Sequence, residues 1–353
     1  MPETQLESAI PDALRGTRQC PRRTPGSYTP PYPSYVARFS GDVGQVVMAY
    51  FGVQYSGERT AAVDSALQWL LGSFAEPDGP RSWDRAQYVD GAGHLNIISI
   101  AYWDDPTAHA RWRDAVGDRW LDSGDVSIGR FIESISPTVD RYETLFSAPD
   151  RREGIGVIAE DMSGEIEEHA YWGGVRDRIA LGQFDTMKPS GVPGYRVDGD
   201  VVRVIPQENI CLIRSGQDWT DAPEAERDMY LGDVEPSLRA GMDFLAGPEG
   251  PSIGCLTNRY MTVLDPDGAR IDKTFGMSWW RSLADLERWA QSHPTHLAIF
   301  GAAMKYLQTM GPAANLKLYH EVSVATAGQQ RFEYRGCHPS TGMLAVAKPQ
   351  VAS

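Results

Sequence analysis

Cysteine is scarce in this chain, with four in 353 residues: Cys20, Cys211, Cys255 and Cys337. None belongs to a C-x-x-C pair, which excludes a zinc knuckle, a thioredoxin-type redox motif and a covalent c-type haem attachment. Long apolar runs are missing as well. No stretch of 18 apolar residues is present, so no membrane-spanning helix is expected. The N-terminus, MPETQLESAI, carries two acids and no apolar core, which is unlike a secretory signal. Scattered thiols without such a signal point to reduced cysteines in a cytoplasm. Positive charge is in deficit. Lys and Arg number 33 against 47 Asp and Glu, for a net charge of −14, so the basic stripe that nucleic-acid binding needs is not there. The densest basic spot, Arg15–Arg23, is short and sits in a proline-rich tail. There is no H-E-x-x-H, no three-histidine cluster and no G-x-S-x-G, which argues against a catalytic zinc and a hydrolase elbow.

What is present is globular. Hydrophobic residues make up 42% and charged residues 23%, enough to bury a large core without staples. Residues 1–42 lack periodicity, and PRRTPGSYTPPYPSY within them should run as an extended arm. Structure then begins near Gln45. VVMAYFGVQY and HLNIISIAYW read as strands, and each is followed by a helical pattern. GIGVIAEDMSG restarts the strand pattern. NICLIRSG is a strand, and the helix after it is expected to bend near Pro236. IGCLTNRYMTVLD and RIDKTFGMSWW are strands joined by a turn at Pro266-Asp267-Gly268. LADLERWAQS and the segment from Pro294 are helices. LKLYHEVSVA and RFEYRG are expected to close as a strand pair.

One echo organises this order. AYWDDPTAHARW and SWWRSLADLERW each place a helix Trp nine positions after a strand-end Trp, at 103 and 112 and at 280 and 289. Two copies of a strand–helix unit are the simplest account. The class is therefore α+β, with an arm over 1–42, a first ferredoxin-like half over 43–150 and a second over 151–353.

The chain has seven histidines: His94, His109, His169, His293, His296, His320 and His338. His320 alternates with Leu316, Leu318, Val322 and Val324, so it points to an apolar side where an imidazole must be hydrogen-bonded or at work. Glu321 points the other way. Ser215 ends a similar strand, on one face with Asn209, Cys211 and Ile213. In SHPTHL, Pro294 suits a first helical turn, and His296 heads a stripe of Ile299, Phe300, Ala303, Met304 and Leu307. Such a histidine is either a core residue or an axial ligand offered to haem, with His293 as the alternative ligand. YWGGVRDR places Arg176 and Arg178 after an aromatic pair, for a carboxylate, an anionic substrate or a surface ion pair. Glu143, among the aromatics of RYETLF, could orient an arginine or a histidine or could lie on a solvated helix face.

TPPYPSYV, VVMAYFGVQY, SGEIEEHAYWGGVRDR, NICLIRSGQDW, GMDFL, SHPTHL, LYHEVSV and CHPSTGML together resemble the aldoxime dehydratase family, from about Thr29 to Met343. The resemblance implies a haem-b enzyme that converts R–CH=N–OH to a nitrile and water. It also implies two ferredoxin-like halves packed as a dimeric α+β barrel of the chlorite dismutase and dye-decolourising peroxidase type, and a homodimer. Residue by residue, the family's axial histidine falls on His296, its distal histidine on His320, its serine on Ser215, its arginine on Arg178 and its glutamate on Glu143. Ferrous haem with one axial imidazole leaves a position for the aldoxime nitrogen. A general acid must then help hydroxide leave, with His320 as donor and Ser215 and Arg178 holding the hydroxyl. A haem peroxidase of the same architecture, a non-catalytic haem carrier or sensor, and a cofactor-free ferredoxin-like dimer are the rival readings.

Overall fold

Strand β1 (Val47–Tyr55) is buried at every position because both of its faces are covered. Met48 and Tyr50 join one apolar cluster, while Val47, Ala49, Phe51 and Val53 join another. The computed structural model in which this is seen describes residues 6–122 and 127–350. Helix α1 (Ala61–Phe74) follows, then β2 (Ser82–Val89), β3 (Leu95–Trp103), helix α2 (Pro106–Trp112), a short helix α3 (Arg119–Asp122) and β4 (Gly129–Ile135). Next come β5 (Tyr142–Phe146) and a hairpin of β6 (Gly194–Asp198) with β7 (Val201–Ile205). The second half holds β8 (Ile210–Asp218), α4 (Glu224–Met229), α5 (Glu235–Ala246), β9 (Cys255–Leu264) and β10 (Arg270–Trp280). It ends with α6 (Leu283–Ser292), α7 (Pro294–Met310), β11 (Lys317–Ala325) and β12 (Gln330–Arg335).

The strands line up as β6-β7-β12-β4-β1-β3-β2-β9-β10-β8-β11-β5, with Lys348–Pro349 adding a parallel edge beside β6, so the sheet is mixed. Within this order, β4-β1-β3-β2 and β11-β8-β10-β9 each run fourth, first, third, second in their own half. The two runs meet where Ala86 faces Val263. Residues of both halves, among them Met48, Ile98, Phe131, Leu212, Met261, Phe275 and Met277, share one cluster on the inner faces. Helices cover the outer faces: α1 and α2 over the first half, α5 and α6 over the second. The tryptophan echo is a packing echo. Trp103 and Trp112 have ring centroids 5.2 Å apart at 46°, and Trp280 and Trp289 are 5.5 Å apart at 41°. No helix among the described residues is long and apolar enough to cross a membrane.

Three local expectations change. Residues 154–158 form a 3-10 turn rather than a strand. Gly154 takes φ +58, and a Cβ there would lie 2.4 Å from a Glu321 carboxylate oxygen, which instead accepts the Ile155 N–H at 2.7 Å. β11 and β12 do not pair with each other. The turn between them, closed by a Thr326–Gln329 capping box, sends β12 to β4 and β7, while β11 lies between β8 and β5. Strands β2 and β4 carry too many polar residues to stand out by apolar pattern, and they are placed by pairing instead. Glu133 in β4 is fully buried because Arg259 grips both its oxygens at 2.6 Å. The bend expected near Pro236 is a five-residue π turn, Tyr230–Val234, with the proline in the first turn of α5.

Candidate active site

The β8-β11-β5 edge builds one side of the site. Ser215 stands opposite His320 across β8 and β11, and Glu143 stands opposite Val322 across β5 and β11. Opposed residues share a face and positions two apart lie diagonal, so Glu143 and His320 meet. Arg178 arrives from outside the sheet, on the 3-10 turn Val175–Asp177. Its Nε donates to Glu143 Oε2 at 2.6 Å, its Nη1 donates to the Glu168 carbonyl at 3.0 Å, and its Nη2 lies 3.1 Å from His320 Nε2. His320 Nε2 is also 3.0 Å from Glu143 Oε1. Ser215 is half-buried, and no side chain among the described residues bonds its hydroxyl. Glu321, on the reverse face, takes the Tyr102 hydroxyl at 3.1 Å and plays no part in this cluster.

The neighbouring charges of the VRDR turn separate cleanly. Arg176 pairs with Glu287 at 3.1 Å and donates to the Thr186 carbonyl, so Arg178 alone of the two arginines reaches His320. Glu143 is buried, which raises its carboxyl pKa. The charges of Arg178 and His320 and the hydrogen bonds from both outweigh burial and hold it down at about 2. It is therefore an anion throughout the physiological range. His320 Nε2 is occupied by the Glu143–Arg178 pair, which leaves Nδ1 as the ring nitrogen free for chemistry.

Helix α7 lies on the same side of the second four-strand run as His320. Its Ile299 joins the cluster of Cys211, Val322 and Val324, and its Leu307 packs with the cluster around Leu316 and Tyr306. Gly241 of α5 permits the close approach, since a Cβ there would sit 2.6 Å from Ile299 Cδ1. His296 is flanked by Trp172 and Trp289, with centroids at 5.0 and 4.5 Å. Burial pushes its imidazole down to about 4 against the opposing Ala290 backbone, and its buried Nδ1 has no hydrogen-bond partner among the described residues. A neutral imidazole is the ligand form. His293 is committed differently. It caps α7 through Thr295 and stacks on Phe244 at 4.7 Å. The predicted stripe of Ile299, Phe300, Ala303, Met304 and Leu307 is only half-buried, as are Ile213, Ser215, Leu318 and His320 on the sheet. Two half-covered, mainly apolar surfaces and a neutral imidazole fit a flat apolar macrocycle with one axial nitrogen donor.

Sequence reasoning missed four neighbours of these groups. His169 is 1% exposed, its Nδ1 is unpartnered, and burial followed by the Arg178 charge holds it at about 4. Trp172 packs on Phe300 with centroids 3.5 Å apart. Glu168 and Asp177 are buried acids tied to the N-terminal arm. All four lie in EEHAYWGGVRDR, whose density of His, Trp and paired charges was the available signal.

The family described as "Haem-containing dehydratase" matches residues 49–343. The chain belongs to this family of haem-containing dehydratases, and within it to the aldoxime dehydratases, lyases that convert aldoximes to nitriles. It is 44% identical to the aliphatic aldoxime dehydratase of Pseudomonas chlororaphis over 96% of this chain and 98% of that one. It is 31% identical to the phenylacetaldoxime dehydratase of Bacillus sp. (strain OxB-1) over 92% and 94% of the two chains. A crystal structure of an aldoxime dehydratase superposes with a TM-score of 0.92 at 42% identity, covering 98% of this chain and all of the other. A second, complexed with butyraldoxime, gives 0.92 at 40% identity and 98% coverage of each.

Proposed function

We propose that this chain dehydrates aliphatic and arylalkyl aldoximes on a ferrous haem b held by His296, with His320 as the acid and base. The observation that carries the reading is the buried Arg178–Glu143–His320 cluster on the sheet face that α7 and His296 also serve. When bound, haem supplies a Lewis-acidic iron for the aldoxime nitrogen. The protein's own part is proton handling and orientation. Glu143 and Arg178 both lie against His320 Nε2 and hold the ring, leaving Nδ1 to deliver a proton to the departing hydroxyl and to take the aldehydic proton back. Ser215, opposite His320, orients the hydroxyl. Arg178 keeps Glu143 ionised, and it retains free N–H groups on Nη1 and Nη2 that can meet the leaving oxygen. Aliphatic side chains come first as substrates because the relatives at 44% and 43% identity are aliphatic aldoxime dehydratases.

The repeated strand order and the shared inner cluster support two ferredoxin-like halves, 43–150 and 151–353, packed as a dimeric α+β barrel behind the arm of 1–42. A cytoplasmic homodimer completes the proposal, and light scattering at twice the chain mass is its test. The functional test is an absorption spectrum of the haem-supplemented protein before and after dithionite, then after anaerobic aldoxime. A Soret band that shifts at both steps is expected in the wild type, in His320→Ala without turnover, and not in His296→Ala. Full turnover by haem-replete His320→Ala would overturn the acid–base assignment.

A further inference from the structure

Among the described residues, no side chain of the N-terminal arm hydrogen-bonds Arg178, Glu143 or His320, yet the arm is fastened to Glu168 and to Asp177 beside Arg178. Asp177, the residue before Arg178, is completely buried. Its carboxylate accepts the backbone N–H of Thr24 at 2.7 Å and that of Arg23 at 3.0 Å, and Arg18 stands 3.8 Å away. Glu168, whose carbonyl accepts from Arg178 Nη1, spends its carboxylate on the Ala9 N–H at 2.7 Å, Ser8 Oγ at 3.1 Å and Arg22 at 3.4 Å. Farther along the arm, Tyr32 packs on His169 with centroids 5.5 Å apart, and Tyr28 packs on Tyr171 at 5.3 Å. The turn that carries Arg178 thus has no sheet of its own. Its polar attachments are to Glu143 and His320 through Arg178, to Glu287 and the Thr186 carbonyl through Arg176, and to the arm through Asp177.

We propose that the N-terminal arm is a positioning element of the active site, setting Arg178 against Glu143 and His320 through the buried carboxylate of Asp177. A guanidinium that serves two partners at once depends on placement within a fraction of an ångström. The Arg176–Glu287 pair anchors the start of the turn, and next to Arg178 a carboxylate gripped by successive backbone N–H groups supplies the rest of that rigidity. The arm therefore governs the chemical step while sitting outside the pocket. This inference rests on Arg178 being part of the site.

The test is a coupling measurement on the haem-loaded enzyme. Asp177→Asn replaces one acceptor oxygen with a donor that faces N–H groups, and Thr24→Pro removes a single arm donor while leaving Asp177 intact. Each is expected to lower kcat roughly tenfold with KM changed less than about twofold, as for loss of a transition-state contact. In an Arg178→Lys background, neither change should lower kcat further, because the group being positioned is gone. Amides 175–180 should exchange faster with deuterium in both variants before any substrate is added. Full multiplicative loss in the Arg178→Lys background, or unchanged exchange at 175–180, would overturn the proposal. An Arg178→Lys enzyme with normal kcat would instead overturn the site assignment on which it rests.

Discussion

At the scale of single residues, the site depends on a buried anion kept ionised by its contacts with Arg178 and His320. Glu143 is held at about 2 against an ordinary value of 4.5. A carboxyl lowered on folding adds stability that is complete above about pH 4.5 and is lost as the pH falls toward 2. Glu143→Gln should flatten that part of the profile of denaturation midpoint against pH. It should also leave Arg178 buried without its partner, at a cost of about 3–5 kcal/mol, and cut kcat by about 100-fold with haem retained. His169 has the opposite chemistry and a related sign. It is neutral in the fold down to about pH 4, whereas an unfolded histidine takes its proton near 6.5. The unfolded state therefore binds more protons between those values, and stability falls as the pH drops from 6.5 to 4. His169→Gln should reduce that slope, as read by urea denaturation at a series of pH values.

At the scale of elements, the paired tryptophans separate a shared fold role from a site role. Among the described residues, the rings in contact with Trp112 are those of Trp103, His109, Phe51 and Phe74 in the first half, whereas Trp289 packs with both Trp280 and His296. Truncating either to Leu should cost about 2–4 kcal/mol of stability. Of these two variants, only Trp289→Leu should also speed haem loss to apomyoglobin, because of the two rings only Trp289 packs on His296, the proposed haem ligand. The α5–α7 contact makes a second prediction. Gly241→Val would collide with Ile299 and push α7 away, so haem affinity should fall while the first half stays intact. The missed strands belong to this scale too. β2 and β4 are legible only through what they pair with, since Arg85, Glu133 and Ser134 break an apolar pattern that the partners then satisfy.

At the scale of the molecule, the two four-strand runs of the sheet hold each other through a charged core. Arg259 and Glu133 meet in a bidentate pair that also takes Tyr334 at 2.6 Å and Trp279 at 3.2 Å. Arg259→Met should lower global stability by about 3–5 kcal/mol, because the carboxylate is left buried without its cation, without altering the Soret spectrum of what remains folded. The exchange of edge strands, with β5 on the second run and β12 on the first, makes unfolding of one half expose the other. A single cooperative transition by calorimetry is expected.

The sequence by itself determined the periodic elements and the chemical types. The alternation around His320, the stripe behind His296 and the Trp spacing of the two halves all follow from periods of two and 3.6, which are local properties. It also carried enough motif to imply the reaction. Only the tertiary structure decided which charges meet. Glu143 could face solvent or a partner, the local pattern left Arg176 and Arg178 both open with only the resemblance favouring Arg178, and β11 and β12 read as a pair. Those choices are set by strand register, by a turn that redirects the chain, and by an arm that fixes Asp177 from 153 residues away. Such contacts link segments distant in the chain, and no local period records them.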